Sequence, residues 1–170
     1  MVLTTHIIVA GAVSAPLIAA GHPALGLVAG LASHYLIDAI PHWSYRLSQI
    51  ENSGDARKRR WGNDKRAVAR DIGKTAVDSL IGTVILLCVI LAFGKPAFLT
   101  LVAGWLGALP DGLQGIQLVY KKFPMPWLQK FHDLFHFDNG GTWDLPLTTK
   151  TFLSQALLFI VAIGTLAFSY

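Results

Sequence analysis

His34 and Asp38 stand four residues apart, and Pro41 and His42 follow at once. On a helix this spacing puts an imidazole and a carboxylate on one face. Pro41 then breaks the helix, and His42 can fold back toward the pair. Imidazole and carboxylate together suit a divalent ion such as zinc or manganese. A His–Asp hydrogen bond closing a helix end is the plainer alternative.

Further groups of the same kind lie in apolar surroundings. Asp111 follows Pro110, with Gln114 one turn on as a weaker ligand or hydrogen-bond donor. His132 and His136 are again four apart, among Phe131, Leu134, Phe135 and Phe137. That spacing is a common metal pair on a helix, although the glutamate base of zinc proteases is absent. The same run reads as a short interfacial helix. His6 opens an apolar run. Asp78 is read as a further ligand or the general base, with a Lys74–Asp78 ion pair as the alternative. Asp71 is expected to pair with Lys74 or Arg70. The candidate metal ligands are thus His6, His34, Asp38, His42, Asp111, His132 and His136, and the catalytic candidate is Asp78.

Elements that could position these residues follow from composition. The chain has 170 residues, 53% of them hydrophobic and 14% charged, with mean hydropathy +0.50. A soluble domain would carry about 25% charged residues. The deficit points to an all-α, polytopic membrane bundle in one domain. Five spans are expected, at about 5–20, 22–40, 74–93, 97–120 and 151–170, with the interfacial helix in addition. Gly21-His22-Pro23 and Gly94-Lys95-Pro96 supply tight turns. Two polar segments, 42–73 and 121–150, connect the rest. Gly26 and Gly30 on the second span, and Gly104, Ala108, Asp111, Gly112 and Gly115 on the fourth, follow the small-residue spacing of closely packed membrane helices. Cys88 is the only cysteine, which excludes an intramolecular disulfide and a thiolate zinc site.

Of the 14 Lys and Arg residues, only Lys95 lies away from the two polar segments. The positive-inside rule puts those segments and the N-terminus in the cytoplasm and the C-terminus on the far side. All the candidate ligands then fall at the cytoplasmic end of their spans. The expected location is a plasma membrane of prokaryotic type. The basic loop meets lipids with anionic headgroups, and nucleic acid is not an expected partner. Trp43, Trp61, Trp127 and Trp143 fit an aromatic belt on that side.

Thr5-His6 at the N-terminus, an apolar hairpin, the Pro110-Asp111 step and the late His132/His136 pair resemble the membrane-bound metal-dependent hydrolase family. That family is related to zinc-dependent phospholipase C and S1/P1 nuclease. His34, Asp38, Pro41 and His42 are similar to the His-x3-Asp motif of those enzymes. The spacing after Asp38 is shorter here, and a second histidine inside the motif is missing. The resemblance implies a divalent metal cofactor, zinc with manganese or magnesium as substitutes, and hydrolysis of a phosphoester such as a lipid headgroup. A non-enzymatic membrane protein, either a metal or proton transporter or a scaffold, is the alternative.

Overall fold

The computed structural model describes residues 2–45, 47–51, 60–119, 126–135 and 147–168. Six helices carry the fold: α1 (Leu3–Ala19), α2 (Pro23–Asp38), α3 (Lys65–Ala92), α4 (Ala97–Val119), α5 (Pro126–Asp133) and α6 (Thr149–Phe168). A two-residue antiparallel ribbon, β1 (Ile50–Glu51) with β2 (Arg60–Trp61), interrupts the otherwise all-α architecture. Ile50 pairs with Trp61 and Glu51 with Arg60.

Turn chemistry sets the hairpins. Gly21 has φ 82° and Gly94 φ 63°, a left-handed backbone that glycine adopts without a Cβ penalty. Pro23 opens α2 at its first turn, where no helical N–H is lost. α2 ends at Asp38, three residues before Pro41.

The third helix begins nine residues earlier than the expected 74. Asp64 is the reason: its carboxylate accepts the Arg66 and Ala67 N–H groups and caps the first turn. The last part of the expected basic loop is therefore helix. The late helix also departs from expectation. It ends at Asp133, short of His136, which lies outside the described residues.

α1 is the central element and packs against α2, α3, α4 and α6. Ile7 and Ile8 of α1, Leu86 and Ile90 of α3 and Leu166 of α6 are fully buried around it. Close approach depends on missing side chains. A Cβ at Gly30 would stand 2.8 Å from Ser14 Oγ and 3.0 Å from the Ala103 carbonyl oxygen. One at Gly107 would stand 2.9 Å from the His6 carbonyl oxygen. Among the described residues Gly112 and Gly115 meet nothing within 4 Å, so there the expected small-residue face of α4 serves packing only in its first half.

Two helices, α3 and α6, are long and apolar enough to cross a membrane. Their outward faces are apolar: Leu80, Ile81, Val84 and Leu91 on α3 and Phe152, Leu153, Leu157, Ile160 and Val161 on α6 are exposed.

The start of α3 is anchored by Asp71, which is fully buried. Its carboxylate accepts from Lys74 Nζ at 2.9 Å, the Gln49 N–H at 2.9 Å and Ser48 Oγ at 3.2 Å. Lys74 is thus spent on Asp71 and not on Asp78. Burial pushes the Asp71 carboxyl up, but these donors outweigh it and hold the group below its usual range. A carboxyl depressed in the folded state stabilises above its unfolded pKa, about 3.9, and loses that contribution as pH falls through the folded value. Asp71→Asn should therefore lower the melting temperature at pH 7. The gap to wild type should shrink as pH drops below about 4. Thermal melts in detergent across that range check both signs; a gap independent of pH would count against the ionic role.

Candidate metal centre

Four helices each bring a chemically active side chain to one end of the bundle. α1 supplies His6, α2 His34 and Asp38, α4 Asp111 and α5 His132. His34 and Asp38 share a face of α2, as their spacing requires. His6, His34, Asp38 and His132 are buried, and only the Asp111 side chain keeps partial access, at 24%.

The three imidazoles turn their Nε2 atoms toward the two carboxylates. His6 Nε2 lies 3.3 Å from Asp38 Oδ1 and 3.8 Å from Asp111 Oδ2. His34 Nε2 lies 3.1 Å from Asp38 Oδ2 and 4.0 Å from Asp111 Oδ1. His132 Nε2 lies 3.4 Å from Asp38 Oδ2 and 3.5 Å from Asp111 Oδ1. His34 Nε2 and His132 Nε2 are 2.8 Å apart. Donors around a tetrahedral zinc with bonds of about 2.1 Å stand about 3.4 Å from one another. The observed separations bracket that value. Two overlapping triads, His6/His34/Asp111 and His34/Asp38/His132, can each hold a metal ion.

His6 Nδ1 is buried with no hydrogen-bond partner among the described residues, and its buried Nε2 faces the Asp38 and Asp111 carboxylates without a well-formed hydrogen bond. Buried polar atoms are rarely left so. An ion coordinated at Nε2 accounts for one of them.

The other two rings are oriented from behind. His34 Nδ1 donates to the Gly107 carbonyl oxygen at 2.8 Å, because a carbonyl can only accept. His34 Nε2 is then left as a bare lone pair facing the cluster, the tautomer a metal needs. His132 Nδ1 meets the Gln114 side-chain amide. Tyr35 packs edge-on against His34 and also touches His132, Phe131 and Phe135. Aromatic contacts thereby seat α5 on the bundle. Burial alone would lower the His132 imidazole, but its hydrogen bonds to Asp111 and Asp38 push it up to about 9.

The remaining candidates go elsewhere. His42 is buried, but its Nδ1 donates to the Ile40 carbonyl at 2.7 Å, and it belongs to neither triad. His136 lies outside the described residues. Asp78 caps α1: it accepts the Leu3 N–H at 2.6 Å and the Thr4 N–H at 3.2 Å, with the Thr4 hydroxyl 2.6 Å from Oδ1. The Tyr45 phenol also binds Asp78, and burial, then the Asp78 carboxylate, push that phenol well above its ordinary range. A helix N-terminus with unpaired N–H groups explains why an acid sits there; it does not mark a general base.

Sequence reasoning did not find the Gly107 carbonyl or the Tyr35 clasp. The first is a main-chain atom and leaves no mark in residue identity. The second could have been sought in the aromatic run Phe131, Phe135 and Phe137.

Two carboxylates this close repel each other unless a cation lies between them. Bound metal should raise the melting temperature, by mass action on the folded state. Chelator should lower it in wild type. Asp38→Asn should bind little metal and respond little to chelator. Metal analysis of purified protein beside melts with and without chelator checks this; wild type without metal and indifferent to chelator would leave a purely structural cluster. Comparisons with protein-family models, with curated proteins and with solved structures return no match to this chain.

Proposed function

We propose that this chain is a membrane-embedded, metal-dependent hydrolase acting on a phosphoester in a lipid headgroup at the cytoplasmic face. The observation that carries the reading is the convergence of three imidazole Nε2 atoms and two carboxylates from four helices. Three imidazoles favour zinc or manganese over magnesium, which prefers oxygen donors. A bound divalent ion lowers the pKa of water and stabilises negative charge on phosphate oxygens.

The chain's own groups then take separate roles. His6, His34, His132 and Asp38 hold the ion in the closed part of the cluster. Asp111, whose side chain is the one in partial contact with the outside, faces the side from which substrate enters. It is placed to accept a proton from water there. Asp78, with its oxygens engaged by the start of α1, takes no part.

The membrane setting is part of the proposal. α3 and α6 meet the length and hydropathy a crossing needs. α1, α2 and α4 are read as the other three spans, and α5 as the interfacial helix. The exposed Trp127 and Phe131 of α5, with Leu134 just after it, suit headgroup depth. The phosphoester substrate rests on the family resemblance of the motifs and on the basic residues of the 42–73 segment. A transporter would need ionisable groups along both halves of the bundle; His22, at the opposite end, is exposed at the start of α2.

The test is release of a phosphorylated headgroup, or of phosphate, from phospholipid in detergent micelles with zinc or manganese supplied. Asp111→Asn should cut the rate by about 10²- to 10⁴-fold, the range for losing a positioned acid–base group. Metal-loaded wild type that releases nothing from zwitterionic or anionic phospholipid would overturn the substrate assignment.

A further inference from the structure

Gln114 lies on α4 nearly one turn beyond Asp111, and it is buried. Its amide Nε2 faces His132 Nδ1, while its Oε1 is buried with no hydrogen-bond partner among the described residues. Two requirements meet at this contact. His132 turns Nε2 toward Asp38, Asp111 and His34, so Nε2 is the atom available to an ion. A neutral imidazole bound through Nε2 carries its proton on Nδ1, and that N–H needs an acceptor.

A half-turn of the Gln114 amide brings Oε1 onto His132 Nδ1 and supplies that acceptor. The same turn removes the carbonyl oxygen from a position where no described residue donates to it. The two orientations differ only in which end atom occupies each place. His34 solves the same problem with a main-chain group, the Gly107 carbonyl. α4 therefore carries the rear acceptor for both rings, seven residues apart and so two helical turns along one face.

We infer that Gln114 is a positioning residue of the metal centre, accepting the Nδ1–H of His132 through Oε1 and so holding its Nε2 lone pair on the ion. This rests on the metal-centre reading above. It adds a specificity element, because it commits His132 to one tautomer without adding a third carboxylate to a cluster that already has two.

The experiment uses the full-length protein in detergent and measures zinc affinity by competition with a chromophoric chelator. Gln114→Leu keeps the bulk but removes the acceptor, and should weaken zinc binding by about 10- to 100-fold, as loss of a rear partner of a ligating histidine does. Gln114→Glu keeps the acceptor and should match wild type or bind tighter. A separate readout is the nitrogen-15 spectrum of histidine-labelled, zinc-loaded protein. In wild type and in Gln114→Glu the His132 ring should carry its proton on Nδ1.

Gln114→Leu binding zinc as tightly as wild type would overturn the inference while leaving the metal centre intact. So would Gln114→Glu binding as weakly as Gln114→Leu, since that pattern marks packing alone. If Gln114→Leu does not fold, the spectrum decides: a His132 ring bound to zinc through Nδ1 refutes the role. Wild type that takes up no zinc would remove the metal centre itself, and this inference with it.

Discussion

Asp38 and Asp111 each lie within 4.0 Å of the same three ring nitrogens, those of His6, His34 and His132. Two carboxylates held this close, one fully buried, are an electrostatic burden that only positive charge between them relieves. The rest of the molecule is arranged so that this burden can exist. α1 runs through the middle of the bundle and brings His6 to the cluster. α4 comes near enough to α1 and α2 for the Gly107 carbonyl to reach His34 Nδ1. A side chain on residue 107 would collide with the main chain at His6. The same glycine thus sets the helix spacing and orients the His34 ring.

Cohesion in the bundle comes from close contact and specific hydrogen bonds more than from a large greasy core. Many of the biggest apolar side chains point outward, among them Phe98, Leu91, Leu36 and Phe168. Inside, small residues and short polar links recur. Ser14 donates to the Gly26 carbonyl at 2.8 Å, tying α1 to α2. Gln155 Nε2 donates to the Thr5 hydroxyl at 3.0 Å, and Ser154 donates to the Pro41 carbonyl, tying α6 to α1 and to the end of α2. That distribution is compatible with helices in an apolar solvent, where lipid provides no hydrophobic drive between them.

The helical architecture and the convergence of His34 with Asp38 were legible because residue type and period-3.6 spacing encode them. His34 and Asp38 are joined by helical geometry alone. Gly21 and Gly94 announce turns through a backbone only glycine adopts freely. The start of α3 was misplaced because a cap acts through one side chain, Asp64, amid a run of charge that reads as loop. The fates of His42 and Asp78 were not legible for a different reason. Their partners, the Ile40 carbonyl and the N–H groups of Leu3 and Thr4, are main-chain atoms. Any sequence offers these at every position, so residue identity does not point to them.

Asp78 and Asp111 meet very different partners in this bundle. Both sit on apolar helices, Asp111 alone among uncharged residues and Asp78 one turn past Lys74. Asp78 meets the exposed N–H groups of a helix start and two hydroxyls, so its charge is met without any cation. Asp111 faces imidazole nitrogens whose own protonation and tautomer must be arranged. The first acid nevertheless serves the second. Asp78 fixes Leu3 and Thr4, and the Thr5 hydroxyl is fixed by Gln155, so the residues just before His6 are held from two sides. α1 cannot slide or turn without breaking those bonds. The position of His6 against Asp38 is set there, one turn away from the atoms that would hold the ion.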